Sequence, residues 1–282
     1  MSPLLHARHP LTRLLALTLW LVSGQHAGAQ ALERSLASPA LDEAQIHFYS
    51  ARYPEAAAVT RRLLADDPQQ LATYELHTAA LHFQIRRLLR DAKDKKAGLA
   101  ACVPCAALLA EFMDTMKAGR TLALSRLTAN AADEEARFLL SKIDLNYVWL
   151  VLSTLERRTG WNEYQEARRS IDAVLDSRAG HVRARVARAW IYYIVATKLP
   201  WGTRWMLGGG NRGRGLRMMR EAAMADATVY EKAEAVFGLW EMEVREENTA
   251  SALTAARVLL GWFPENQDVA MFVASHGQPR TP

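Results

Sequence analysis

Tyr53-Pro54-Glu55-Ala56-Ala57-Ala58-Val59-Thr60-Arg61-Arg62-Leu63-Leu64 decides the reading of this chain, because Tyr164-Gln165-Glu166-Ala167 opens a second copy 111 residues later. An apolar pair follows the Tyr by ten and eleven positions in both, Leu63-Leu64 and then Val174-Leu175. A stretch near the C-terminus joins them at an offset of 196, with Ala252, Leu260 and Pro264 in the places of Ala56, Leu64 and Pro68. Gly215 marks a fourth copy at an offset of 159, which puts Ala222-Ala223 on Leu63-Leu64 and Asp226 on Asp67. Recurrence at such intervals, on segments with a 3.6-residue apolar rhythm, is the mark of stacked helix pairs. The offsets step by 48 and then 37. Against about 34 residues for a helix-pair unit, the first step carries roughly 14 extra, assigned to the segment from Pro200 to Asn211.

The rest of the chain extends the pattern. Two helical stretches between Leu41 and Ala65 are separated by a turn at Arg52 to Pro54. Asp66-Asp67-Pro68 closes the second and starts a third, from Gln69 to about Arg90. Between Ala97 and Ala132 the signature fades while Leu108, Leu109, Phe112 and Met116 keep helical spacing, so this stretch reads as a divergent repeat. Asp133-Glu134-Glu135, acids where the helix dipole favours them, open a long apolar helix running to Leu155, with Asn130 as its candidate cap. Apolar residues cover nearly every face of it from Phe138 to Leu152, which places it at the centre. Helices from Tyr164 to Asp176, His181 to Lys198 and Gly215 to Ala225 follow. With few alternating runs, the fold class is all-α: antiparallel helix-pair repeats stacked as an α-solenoid, with one Gly/Trp/Arg-rich insertion.

The pattern resembles the tetratricopeptide repeat (TPR) superfamily over 41–90 and 133–266. The small residue of that family's second helix looks like Ala56, Ala167, Gly215 and Ala252, and its closing proline like Pro68 and Pro264. The Trp-Leu-Gly-Tyr pattern of the family's first helix is not cleanly present, and the closing proline is missing after Asp176 and Asp226. The resemblance implies a curved right-handed array whose concave face binds peptides, protein partners or occasionally small ligands.

Arg8 and Arg13 precede an apolar run, Leu14 to Val22, that has the length of a signal h-region, and Ala27-Gly28-Ala29 supplies a peptidase site. Cleavage is expected after Ala29. No Cys lies near it, so the mature chain reads as soluble in the periplasm or secreted; the alternative is a retained membrane anchor. The organisation expected is a leader at 1–29, a flexible segment at 30–40, one helical repeat domain at 41–274 and a disordered tail at 275–282. Losing the two leader arginines leaves 33 basic against 30 acidic residues, a net charge of +3. These charges are mixed along helices and form no nucleic-acid stripe, so no DNA or RNA partner and no later membrane span are expected.

Three constellations could carry chemistry. Cys102-Val103-Pro104-Cys105 holds the only two cysteines and reads as a disulfide in an oxidising compartment. A thioredoxin-like site would need a βαβ surround, a c-type haem a His where Ala106 stands, and zinc two further ligands, so no metal or cofactor is expected. In the segment from Lys198 to Gly215, Gly208, Gly210 and Gly213 spell G-x-G-x-x-G, but the motif joins two helices where a dinucleotide site needs a preceding strand. The segment reads either as a flexible connector or as a recognition loop. In the second reading Lys198, Trp201, Arg204, Trp205, Asn211, Arg212 and Arg214, with Trp190 nearby, take an anionic or peptide ligand at a helix N-terminus. Asp144 and Asn146, inside the central helix beside Tyr147, either hydrogen-bond neighbouring helices or line a ligand pocket. No catalytic set stands out, so a non-enzymatic role is expected. Two readings remain open: an exported scaffold or adaptor that binds an envelope protein or peptide through its concave face and the 200–214 loop, and a solute-binding auxiliary of a periplasmic uptake system with a pocket near Trp190, Trp201 and Arg204.

Overall fold

The computed structural model describes residues 39–152, 160–198, 202, 204 and 207–277. The expected leader with its cleavage point, the flexible segment as far as 38, Trp201, Trp205 and the tail from 278 lie outside the described residues. Among the described residues there are twelve helices and no strand: α1 (Pro39–Tyr49), α2 (Tyr53–Asp66), α3 (Leu71–Leu88), α4 (Lys95–Ala101), α5 (Val103–Ala129), α6 (Glu134–Leu150), α7 (Trp161–Ser177), α8 (Val182–Lys198), α9 (Arg212–Ala223), α10 (Val229–Arg245), α11 (Thr249–Trp262) and α12 (Gln267–His276). They pack as neighbouring pairs, α1 with α2, α3 with α5, α6 with α7, α8 with α9 and α10 with α11. None of them alone is long and apolar enough to cross a membrane. Cys102, the residue before α5, is disulfide-bonded to Cys105 in its first turn.

The repeat register marks where helices cross. Ala56, Ala167 and Ala252 lie in the second helices of their pairs and are fully buried. Gly215 holds the same place in α9, where a Cβ would stand 2.8 Å from the Ala189 carbonyl oxygen and 3.0 Å from the Tyr193 nitrogen of α8. A fifth small residue completes the series in the stretch where the signature fades. A Cβ at Gly119 of α5 would meet Tyr74 of α3 and Ile143 of α6, each at 2.9 Å. The central helix α6 is buried on several sides as expected, with Leu139, Leu140, Ile143 and Leu150 almost wholly removed from solvent. Each such side chain contributes roughly 1.5–3 kcal/mol.

Three expected boundaries move. Asp133, not Asn130, caps α6, its side chain accepting the Ala136 N–H at 2.9 Å. Asn130 instead ends α5 and accepts the Ala132 N–H, because the turn between the helices is long enough to separate the two roles. The helix expected from Tyr164 begins three residues earlier at Trp161, directly after Gly160, which takes the left-handed conformation at φ 90°. The helix expected from Gly215 begins three residues earlier at Arg212, where the Asn211 side chain accepts the Arg214 N–H.

The first helices of four pairs converge on a layer of four charges, in which Glu75 is buried and Lys142, Arg183 and Glu234 are half-buried. Arg183 of α8 donates to Glu75 of α3 at 2.9 Å and to Glu234 of α10 at 2.7 Å. Lys142 of α6 bonds Glu234 and lies 3.7 Å from Glu75. Burial by itself would raise the Glu234 carboxyl, but Lys142 and Arg183 outweigh it and hold the group at about 2. The guanidinium of Arg183 also lies 5.2 Å from the Phe138 ring centre. Two charges of each sign leave the layer balanced, the condition under which buried ions are tolerated.

Beside this layer the array closes on itself. Tyr49, at the end of α1, stacks on Phe263 at 5.3 Å, Phe237 at 5.6 Å and Tyr230 at 6.3 Å. Asn266, between α11 and α12, donates its amide to the buried Tyr49 carbonyl at 2.7 Å and accepts the Val269 N–H that starts α12. Arg52–Glu265 and Arg86–Glu241 pairs flank the contact. Asn266→Ala removes both a helix cap and the partner of a buried carbonyl, so a loss of about 2 kcal/mol is expected in urea unfolding. Asn266→Asp, which keeps the acceptor and loses the donor, should fall between the two.

Candidate functional site

Side chains from α7, α8 and α9 gather positive charge around Tyr164 and Tyr192, a cluster called here the arginine groove. Tyr164, Arg168 and Asp172 recur every four residues along α7, and Arg188 and Tyr192 do so on α8, which puts each set on one helical face. Arg214 joins them from the first turn of α9. The Arg188 and Arg214 guanidinium carbons lie 4.4 and 4.5 Å from the centre of the Tyr192 ring. Arg188 is nine-tenths buried, with a side-chain exposure of 10%, and it forms an ion pair with Asp172, Nε lying 3.1 Å from the carboxylate. Its Nη1 has no hydrogen-bond partner, nor does the buried Nε of Arg168. Three guanidiniums therefore face one carboxylate. Buried donors without acceptors cost free energy that an incoming anion would recover.

The turn from 207 to 211 is fastened over this cluster. The Leu207 and Gly209 amides donate to the Arg204 carbonyl at 3.2 and 2.9 Å, while the Asn211 amide donates to the Tyr192 carbonyl at 3.1 Å. Tyr164 donates its hydroxyl to the Leu207 carbonyl at 2.7 Å, and burial pushes that hydroxyl up to about 12. Gly208 and Gly209 take positive φ, and a Cβ on Gly208 would run into the Arg168 guanidinium. The described part of this segment is thus a tied turn.

The predicted residues divide. Arg214 and Asn211 belong to the groove, and Arg204 supplies the carbonyl that closes the turn. Arg212 points away to Glu246 at 2.5 Å. Lys198 ends α8 exposed to solvent. Trp190 packs edge-on to Tyr193 with Arg245 6.0 Å from its ring centre, between α8 and α10. Asn146 takes the hydrogen-bonding alternative, donating to the Glu75 carbonyl and the Thr78 hydroxyl and so fastening α6 to α3. Sequence reasoning missed Arg168, Arg188 and Tyr192. Their four-residue spacing was visible, but it marks a face without saying what that face meets.

Asp144 is fully buried, accepts from Arg120 through one oxygen and has no partner for the other. Burial pushes its carboxyl up to about 7 against the pull of Arg120, with Glu163 and Glu166 adding to the rise. A carboxyl raised above its unfolded value binds more protons in the folded state. Its contribution is therefore favourable at low pH and lost as the pH rises from about 4 to about 7, by about 1.4 kcal/mol per unit of displacement. His82 and His181, held neutral by burial at about 3 and about 4, act in the opposite sense below pH 6.5. The difference between wild type and Asp144→Asn isolates the term: in urea titrations the variant should gain on wild type as the pH rises through that window, and a pH-independent difference would refute the assignment.

Among the described residues no group of three or more His, Cys, Asp or Glu is placed to hold a metal ion. Comparison of the chain with protein-family models, with curated proteins and with solved structures finds no match.

Proposed function

We propose that this chain is an exported, TPR-like adaptor that grips an acidic segment of an envelope partner at the arginine groove beneath the 207–211 turn. The observation that carries the reading is Arg188, a nine-tenths buried guanidinium with an unspent N–H beside two further arginines and a single compensating carboxylate. Guanidinium forks match carboxylates in geometry as well as charge, and a like-charged cluster is stabilised by an anion placed among its members. The charges of the four-charge layer are already paired with one another, which favours the arginine groove as the surface offered to a partner.

A fluorescein-labelled octaglutamate peptide tests the proposal by anisotropy. Saturable binding is expected, weakening as salt rises, and Arg188→Ala should reduce affinity about 10- to 100-fold, the range of one or two charge-assisted hydrogen bonds. An octalysine peptide binding equally well, or Arg188→Ala and Arg214→Ala both leaving affinity intact, would refute it.

A further inference from the structure

A cleft of about 360 Å³ runs along α5 on the other side of α7, bounded by the end of α6 and the start of α7. Met113, Met116, Lys117 and Arg120 follow one another at helical spacing and line it from α5. Tyr147 of α6 and Glu163 of α7 also line it. The cleft therefore presents thioethers together with positive charge from Lys117 and Arg120 and negative charge from Glu163. Lys117 and Glu163 form no ion pair among the described residues, so both charges are left to whatever enters.

Arg120 is aimed from behind. Its guanidinium is held by Asp144, which is buried completely and has no other hydrogen-bond partner. A buried carboxylate that fixes a cleft-lining guanidinium limits its rotamers and leaves the rest of its donors for the cleft, the arrangement that pre-organises a binding group. It also accounts for a buried acid in an otherwise apolar helix, which packing alone would not favour.

The geometry points to a binding site for a free α-amino acid with an apolar side chain, its carboxylate on Arg120 and Lys117, its ammonium at Glu163 and its side chain over Met113 and Met116. The two signs in one lining select a zwitterion. A fatty acid would leave Glu163 facing apolar chain, and a simple cation would meet Arg120. The volume suits a small molecule of that size, and flexible thioethers adapt to side chains of different shape. The site is independent of the arginine groove.

Isothermal titration of the full chain with L-leucine tests this. Saturable binding near one equivalent is expected, with N-acetyl-L-leucine, which lacks the ammonium, and L-leucinamide, which lacks the carboxylate, each at least tenfold weaker. Lys117→Met and Glu163→Gln alter side chains outside the core, and each should weaken L-leucine at least tenfold with an unchanged circular dichroism spectrum. Arg188→Ala should leave L-leucine binding unchanged, which separates this site from the adaptor groove. Absence of saturable heat with L-leucine, equal binding of N-acetyl-L-leucine, or wild-type affinity in both surface variants would each overturn the proposal.

Discussion

Arg183→Ala is expected to destabilise the protein by about 3 kcal/mol, the low end of the cost of leaving one side of a buried ion network uncompensated, because the layer is half-buried. The substitution strands Glu75 and Glu234 with only Lys142 between them, and it strips the guanidinium from the face of Phe138. Urea unfolding followed by circular dichroism reads the loss directly. Adding Glu234→Gln to the alanine variant should recover part of it, because one of the stranded charges disappears. Arg183→Lys should fall between the two, since an ammonium cannot span two carboxylates as a planar fork does. A loss below about 1 kcal/mol would mean that the layer behaves like surface pairs and not like a buried one.

Gly215→Ala should cost about 1–3 kcal/mol, although alanine is the better helix former, because the added methyl meets the α8 backbone at 2.8 and 3.0 Å and forces α9 outward. The same displacement carries Arg214 away from Tyr192, so affinity for the acidic peptide should fall together with stability. Gly213→Ala, two residues away, is the control. Its nearest neighbours are the ends of side chains at 3.6 and 3.7 Å, and relief of glycine's conformational freedom should leave the protein as stable or slightly more so. If both substitutions behave alike, close helix approach is not what holds glycine at 215.

Much of this architecture was legible in the sequence because the repeat unit is local. Small residues at fixed offsets, Ala56, Ala167, Gly215 and Ala252, are forced wherever one helix crosses another closely, and that requirement returns with every pair. Gly119 obeys it too, yet without the neighbouring Tyr-x-Glu-Ala signature it was indistinguishable from any helical glycine. The disulfide was readable from the spacing of the two cysteines and the oxidising compartment expected for them. Contacts between distant helices were not. The Arg183 layer joins residues 51 and 108 positions apart in the chain, and Asn266 meets Tyr49 across 217, so no periodic signal relates them. The groove was half visible: Arg214 and Asn211 stood out beside the glycines, whereas Arg168 and Arg188 looked like the solvated faces of ordinary amphipathic helices. Asp144 was conspicuous as an acid in an apolar run, but only the fold brings Arg120 to it from α5.

The seating of Tyr49 among Tyr230, Phe237 and Phe263 also bears on how such a chain could evolve. An open stack of helix pairs tolerates the gain or loss of a unit, because each unit meets only its neighbours and the ends are free. Here one end is the docking surface of the other. Duplicating or deleting a pair would carry Asn266 and the ring cluster out of reach of Tyr49, so geometry holds the number of pairs constant while the loops between them remain free to diverge.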